Sequence, residues 1–386
     1  VTTKVLVAGG GTAGHVFPAI AVAKELQRQA DVEPVFVGVP DRLEARLVPP
    51  EGFRLHEIAA VSVPRRPSAA LLRLPFALRA SIRACERIAR AERAAAVVTF
   101  GGYVSFPLDR AAKRLGLPLV VHEQNAVPGL TNRVAARWAD RVAVTFPGSA
   151  DRFPQPERVA VTGDPVREDI LRLDRDAERP AAREAFGLEP DVPTLLVFGG
   201  SQGAASLNRA IVDAHARWGT DALQVLHAAG RSQHADATAA WDRVREGRPG
   251  LRVQVVDFID DMARAYAAAD LVVCRAGATS IAELTVLGLP AVLVPYPSAT
   301  GDHQTANARA LEQTGGALVV ADADLDGASL VAAAEPLLTD PDHHARMAAA
   351  SRAFGRPDAA ANVARLVLEQ LDRAPAGGHN DLEDPA

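Results

Sequence analysis

Cysteine and lysine are scarce in this chain, and long apolar runs are missing altogether. Two cysteines, Cys85 and Cys274, in 386 residues cannot make a disulfide framework. That excludes a stapled secreted scaffold and fits a reducing cytosol. No apolar run reaches the roughly 18 residues that a membrane span needs. No signal peptide is expected, because the chain enters a strand pattern within four residues. The net charge of −5 supplies no overall drive toward nucleic acid or anionic lipid. Of the 42 basic residues three are lysine (Lys4, Lys24, Lys113) and 39 are arginine. With alanine, arginine fills the helical stretches, a bias that suggests a GC-rich genome and makes a single arginine cluster less informative.

What is present is a globular composition, 48% hydrophobic and 23% charged. At this length one ordinary core does not suffice, so two domains are expected. The first segment sets the plan. Val5–Ala8 reads as a short strand buried on both faces. Gly9-Gly10-Gly11 breaks it, and Val16, Ile20, Ala23 and Leu26 then recur at helical spacing. Strand, glycine turn and helix form an anion cradle, because unpaired N–H groups at a helix start point at the ligand. Gly9-x-Gly11-x-x-Gly14 even meets the dinucleotide fingerprint. His15, placed where the helix begins, bends the reading toward catalysis on a substrate.

Further strands are expected at Pro34–Val39, 53–63, Ala95–Phe100, Leu117–Glu123, Val142–Thr145 and Val159–Gly163. Asp41 begins a helix ended by Pro49-Pro50, and the stretch after Ser68 is helical to Arg93. The second half repeats the plan. Pro193–Phe198 runs into Gly199-Gly200-Ser201-Gln202-Gly203, followed by a helix through Leu207, Ala210, Ile211 and Ala214. Strands follow at Gln224–Ala228, Val253–Asp257, Leu271–Cys274, Ala291–Pro295 and Ala317–Val320. Arg172–Pro193 reads as a connection between domains, and 374–386 as a disordered tail. The expected fold is α/β: two Rossmann-like doubly wound parallel-sheet domains facing a cleft, with ligand at the strands' carboxyl ends. The expected boundaries are 1–163, completed by a C-terminal helix at about 356–373, and 164–355. The helix carries an apolar stripe at Val363, Leu366, Val367 and Gln370. Hinge closure is expected around Gly163–Arg167 and Phe354–Pro357.

Six motifs occur in order: Gly10-Gly-Thr-Ala-Gly-His-Val-Phe-Pro18, Phe100-Gly-Gly-Tyr-Val-Ser105, His122-Glu-Gln-Asn125, Gly199-Gly-Ser-Gln-Gly-Ala204, Phe258-Ile-Asp-Asp-Met262 and Cys274-Arg-Ala-Gly-Ala-Thr279. Together they resemble the MurG family of glycosyltransferases, which add N-acetylglucosamine to the lipid-linked muramyl-pentapeptide precursor of peptidoglycan. The resemblance implies the GT-B fold, a UDP-sugar held mainly by the second domain, inversion at the anomeric carbon, and no metal or other cofactor. It implies UDP-GlcNAc and lipid I as substrates, lipid II as product, and a peripheral position on the cytoplasmic membrane face, with cell-wall synthesis proteins as partners and no nucleic acid.

The resemblance also distributes roles. His15 accepts the proton of the muramyl 4-hydroxyl or positions it; an unperturbed imidazole near pKa 6.5 suits that work. A histidine at a helix start equally suits the cap. Glu123 is the rival base, and sequence does not separate the two. Thr12, Ala13, Gly14, Tyr103 and Asn125 follow strand ends on the acceptor side. Glu283 is placed on the ribose hydroxyls within Ala278-Thr279-Ser280-Ile281-Ala282-Glu283, although Ser280-x-x-Glu283 also reads as a capping box. Ser201 suits the diphosphate or an ordinary N-cap. Ile259 is placed at the uracil, and otherwise reads as core. Arg167 reaches the phosphates, with Asp164 standing where asparagine is expected and damping its pull. Gln304 is placed on the sugar's 3- and 4-hydroxyls beside His303, against a plain polar helix start. Asp174-x-Asp176 and Asp322-x-Asp324-x-Asp326 read as solvated loops, not metal sites.

Two other functions fit parts of the chain. A nicotinamide oxidoreductase needs an acid closing the second strand, and Val37-Gly-Val-Pro40 offers none before Asp41. A UDP-GlcNAc epimerase of the same fold would bind the nucleotide sugar without a lipid acceptor. Between Pro64 and Arg93, eight arginines face two glutamates, a formal charge of +6. Leu71, Leu72, Leu74, Phe76 and Leu78 interleave with them. This suits an interfacial patch on an anionic membrane, or else a helix whose leucines face the core.

Overall fold

The computed structural model describes residues 2–61, 70–200, 203–218, 223–247 and 252–373. Ser201 and the 374–386 tail lie outside the described residues, as do Arg65 and Arg66. The chain divides into two compact units: 1–124 with 128–165 and 358–386, and 125–127 with 166–357.

Unit 1 holds seven parallel strands: β1 (Thr3–Ala8), β2 (Val32–Gly38), β3 (Arg54–Glu57), β4 (Ala96–Thr99), β5 (Leu119–Glu123), β6 (Arg141–Val144) and β7 (Val159–Val161). Their order across the sheet is β3-β2-β1-β4-β5-β6-β7. Strand order therefore reverses between β1 and β4, where Val5 pairs with both Pro34 and Ala96. The helices are α1 (Ala13–Gln29), α2 (Leu43–Leu47), α3 (Ala70–Glu92), α4 (Ser105–Leu115) and α5 (Leu130–Ala135).

Val5, Leu6, Val7 and Ala8 are fully buried because alternate side chains enter two different cores. Val5 and Val7 pack with Val16, Ile20, Ala23 and Leu26 of α1. Leu6 and Ala8 pack on the other face with Ile82, Cys85 and Ala89 of α3 and Leu108 and Ala111 of α4. Fully burying one such aliphatic side chain contributes about 1.5–3 kcal/mol, so these two layers dominate unit 1's stability.

Unit 2 holds β8 (Thr194–Phe198), β9 (Gln224–Ala228), β10 (Arg252–Val256), β11 (Leu271–Cys274), β12 (Ala291–Leu293) and β13 (Leu318–Val319). All are parallel, in the order β10-β9-β8-β11-β12-β13, so the reversal falls between β8 and β11. Its helices are α6 (Glu168–Leu171), α7 (Arg175–Ala185), α8 (Ala205–Arg217), α9 (His234–Gly247), α10 (Met262–Ala268), α11 (Ala278–Leu287), α12 (His303–Glu312), α13 (Gly327–Thr339) and α14 (Pro341–Phe354). Leu207, Ala210, Ile211 and Ala214 of α8 are buried against Leu195, Val197 and Val225.

The last helix, α15 (Ala359–Arg373), returns to unit 1, where Val363, Ala364, Leu366 and Val367 join the α1 core.

One reading of the connections is corrected. Arg172–Pro193 is not a linker. Asp174 caps α7 by accepting from the Ala177 amide at 3.1 Å, and Arg183 donates to the Ala268 carbonyl and to Asp270, binding α7 to the body of unit 2. The acidic runs also have structural work. Asp322 Oδ1 accepts from Arg275 and from Ser206, each at 2.6 Å, which holds its carboxyl below the ordinary value against the opposing effect of burial. Asp326 caps α13 by accepting from the Ser329 amide.

Candidate active site

In both sheets the strand reversal leaves a crevice at the carboxyl ends, and glycine turns occupy it. In unit 1 the turns after β1 and β4 lie against each other. A Cβ on Gly102 would sit 2.2 Å from the Gly10 carbonyl oxygen, and Gly101 and Gly102 have φ of +88° and +90°. Side chains are excluded there by contact as well as by conformation.

His15 stands over this contact. Thr12 is the N-cap of α1, its carbonyl accepting from the His15 amide, and Ala13 and Gly14 form the first turn. His15 Nδ1 lies 3.0 Å from the Gly10 carbonyl and 2.9 Å from Thr12 Oγ1. A carbonyl only accepts, so Nδ1 carries a proton, and in the neutral ring Nε2 then holds the lone pair. Nε2 is directed at the Gly101 turn, 3.1 Å from where a Cβ would stand. The cap role and a base role are thus compatible: Nδ1 serves the turn and Nε2 faces the crevice. The Tyr103 ring is half exposed and packs beside Gly11.

Glu123 ends β5, 2% exposed. Its Oε2 accepts from the Gly129 amide at 3.0 Å and from Asn132 Nδ2 at 2.8 Å. His122, beside it, donates from Nε2 to the Gly163 carbonyl at 3.0 Å, and burial pushes its pKa down to about 4. Asp164 Oδ1 lies 4.0 Å from Nδ1 of this ring, and Arg167 lies within 4 Å of both Glu283 and Asp169.

Glu44 was not singled out in the sequence, and it changes the meaning of the first glycine turn. It is 2% exposed, accepts from the Gly11 amide at 3.0 Å through Oε2 and from the Val39 amide at 3.1 Å through Oε1. The Gly11 N–H expected to greet an anion is held by a carboxylate. A second negative group there would meet repulsion, which is a physical reason the fingerprint does not make a dinucleotide site.

In unit 2, Glu283 organises the crevice end of β11. It is 7% exposed, and Tyr266 donates its hydroxyl to Oε2 at 2.8 Å. Arg167 Nε lies 3.7 Å from Oε1. Burial raises the Glu283 pKa while Arg167 and Tyr266 oppose the rise. The capping-box reading fails: Gly277 is the N-cap of α11, Ala278 its first residue, and Glu283 lies well inside the helix. Thr279 and Ser280 are half-buried on the first turn, while Ile281 and Ala282 are buried. Ile259 is 7% exposed in the loop between β10 and α10.

Gln304 Oε1 accepts from the Tyr296 amide at 2.8 Å, so its amide nitrogen is the part left to serve a ligand. His303 Nδ1 donates to the Thr300 carbonyl at 2.8 Å. Asn125 groups with unit 2, although the sequence places it with the acceptor side. Its Oδ1 accepts from Asn307 Nδ2 at 3.1 Å, and Asn307 Oδ1 accepts from the Ala126 amide at 2.8 Å. Asn307 and Arg275 were also missed. Arg275 joins Asp322, Ser206 and the Val294 and Pro295 carbonyls, tying the segments after β11, β12 and β13 to the start of α8.

Two doubly wound parallel sheets with glycine turns at their switch points make the GT-B fold. The N-terminal domain model of glycosyltransferase family 28 matches residues 5–144, and the C-terminal domain model matches 194–363. The chain is 47% identical to the UDP-N-acetylglucosamine--N-acetylmuramyl-(pentapeptide) pyrophosphoryl-undecaprenol N-acetylglucosamine transferase of Nocardioides sp., over 95% of this chain and 98% of that one. It is 44% identical to the protein of the same name from Streptomyces coelicolor, again over 95% and 98%. The crystal structure of Acinetobacter baumannii MurG superposes with a TM-score of 0.76 at 32% identity, covering 95% of this chain and 99% of that chain. A UDP-N-acetylglucosamine 2-epimerase shares the fold, with a TM-score of 0.68 at 13% identity over 97% and 98% of the two chains. The chain belongs to the MurG family of glycosyltransferases.

Proposed function

We propose that this protein transfers N-acetylglucosamine from UDP-N-acetylglucosamine to the 4-hydroxyl of the muramyl sugar of lipid I, with inversion, forming lipid II. The observation that carries the reading is the buried Glu283, held by Tyr266 and Arg167, in a chain related over nearly its whole length to transferases named for that reaction.

In this reading Glu283 accepts from the vicinal ribose hydroxyls, and Arg167 faces the diphosphate. Ile259 walls the uracil, and Gln304 donates to the sugar. Ser201 and the first amides of α8 meet the departing diphosphate as negative charge develops. His15 Nε2 takes the 4-hydroxyl proton as the oxygen attacks the anomeric carbon. Glu123, its Oε2 engaged by two donors, fixes charge and orientation near the acceptor. Charge stabilisation is assigned to these groups, so transfer should persist in chelator. Activity lost to chelator and restored by magnesium would reassign that step to a cation.

The membrane reading rests on α3. Phe76 is 77% exposed, with Arg73 and Arg79 exposed beside it. Further along, Ile82, Cys85 and Ala89 face the core. Arg73, Phe76 and Arg79 thus offer an apolar and basic surface, and the later turns of α3 anchor it. Among the described residues no helix is long and apolar enough to cross a membrane. Phe76→Ser should weaken binding to anionic vesicles without changing the unfolding midpoint; unchanged binding places docking elsewhere.

Incubation with UDP-GlcNAc and a lipid-linked muramyl acceptor tests the main proposal. A disaccharide product supports it. An altered sugar with free UDP identifies an epimerase, and absence of both refutes transfer.

A further inference from the structure

Unit 1 contains a pocket of about 220 Å³ lined by Leu130, Arg133, Val134, Arg137, Arg152, Phe153 and Pro154. None of these residues has a role in the site described above. Leu130, Arg133, Val134 and Arg137 follow the i, i+3, i+4, i+7 spacing of one helical stripe along α5 and the turn that continues it. Arg152, Phe153 and Pro154 form the facing wall. The lining is three guanidinium side chains and four apolar residues, and it holds no carboxylate.

The three arginines are exposed, and none has a carboxylate within 4 Å among the described residues. Elsewhere in the molecule many arginines are paired: Arg54 with Glu92, Arg114 with Glu86, Arg183 with Asp270, Arg275 with Asp322. Three like charges brought to one concave surface without compensation repel one another in the empty protein. An anion accepting from planar guanidinium groups relieves that repulsion, and phosphate oxygens match their fork geometry. The apolar part has its own meaning. Phe153 is 4% exposed and belongs to the core, but Leu130 is 76% exposed at the rim. A purely ionic ligand would leave Leu130 and Pro154 wet; an anion carrying a hydrocarbon chain would cover them.

Position supplies the last element. Asn132 lies between Leu130 and Arg133 in the chain, off their stripe, and donates to Glu123 Oε2. One side of α5 therefore braces Glu123 while another lines the pocket. Resting on the proposed function above, we propose that this pocket receives the diphosphate and first isoprene units of the lipid-linked acceptor, the three guanidiniums on the phosphates and Leu130 along the chain.

The test measures Arg133→Ser, Arg137→Ser and Arg152→Ser, singly and combined, against a short-chain prenyl-diphosphate-linked muramyl acceptor. The expected result is an acceptor KM raised about tenfold per arginine, with kcat and the KM for UDP-GlcNAc within about twofold of the parent. Direct binding of geranyl diphosphate to the full chain provides a readout independent of transfer, and the variants should bind it correspondingly less well. With no side-chain hydrogen bond or ion pair among the described residues to lose, the variants should keep the parent's unfolding midpoint. Unchanged acceptor KM and unchanged geranyl diphosphate affinity would overturn the proposal. So would a defect seen with vesicle-presented acceptor and absent with the short-chain one, which would make the pocket a site for membrane headgroups. If the parent makes no disaccharide yet binds geranyl diphosphate through these arginines, the transfer reading fails and the pocket stands.

Discussion

Tyr266 donates its hydroxyl to Glu283 Oε2 at 2.8 Å, so a phenol from α10 holds a buried carboxylate that Arg167 also faces. Glu283→Gln keeps an acceptor for Tyr266 but removes the charge that strengthens bonds from both ribose hydroxyls. UDP affinity should fall about tenfold with little change in unfolding midpoint. Tyr266→Phe should fall less in affinity and more in stability, because it leaves a buried carboxylate short of a donor. Calorimetric titration with UDP and thermal melts separate the two. Equal UDP affinity in Glu283→Gln would remove this residue from the nucleotide site.

His15→Ala should lower kcat by about two orders of magnitude or more, the usual contribution of a positioned general base. His15→Asn tests the two nitrogens separately, since its amide can still donate to the Gly10 carbonyl but cannot accept the hydroxyl proton. Comparable losses in both variants, with UDP binding intact, place the effect at Nε2. Recovery of turnover in His15→Asn would make the contact with Gly10 the working part.

Gly102→Ala and Gly52→Ala form a matched pair. Both glycines have positive φ, +90° and +84°. A Cβ at Gly102 meets the Gly10 carbonyl oxygen at 2.2 Å, while nothing lies within 4 Å of one at Gly52. Gly52→Ala should cost about 1 kcal/mol and spare activity. Gly102→Ala should cost more and should also raise the KM or lower the kcat, because the two turns beneath His15 must separate. Equal effects on stability, with activity intact in both, would show that the contact between the turns is dispensable.

Asp109 is fully buried, with Thr99 Oγ1 donating to Oδ1 at 2.8 Å and Oδ2 lacking a hydrogen-bond partner among the described residues. Burial raises its pKa to about 7. An acid whose folded pKa exceeds its unfolded value of about 3.9 holds its proton better when folded. Its contribution is therefore full below about pH 4, declines as pH rises toward 7, and levels off above that, at a slope of at most about 1.4 kcal/mol per pH unit. Asp109→Asn should flatten the fall in stability between pH 5 and pH 8, as read from urea midpoints. A slope identical to the parent's would assign that proton to another group.

The division between what sequence and tertiary structure decide follows from the range of each interaction. Apolar runs such as Val5–Ala8 and Leu195–Phe198, each ended by glycines and followed by a helical stripe, determine parallel α/β sheets and the class of fold. Their signal is local: side-chain period, turn chemistry and helix spacing lie within about 25 residues. The motifs holding His15, Glu123 and Glu283 are equally short and legible. What those side chains touch is not. The Tyr266–Glu283 bond spans 17 residues, Gly11–Glu44 spans 33, and Asn125–Asn307 spans 182. No period relates such partners. Glu44 reads as one more charge on a short helix until the sheet brings it under the glycine turn. Ser280-x-x-Glu283 reads as a cap until the helix begins three residues earlier than that cap implies, at Ala278. Arg133, Arg137 and Arg152 vanish among 39 arginines until folding places them on one pocket without a carboxylate. Sequence determined the layers and the turns because those follow from local backbone chemistry. Tertiary structure alone decided the long-range pairings, such as Arg183 with Asp270 and Arg275 with Asp322, because those depend on residues that only the completed sheets bring together.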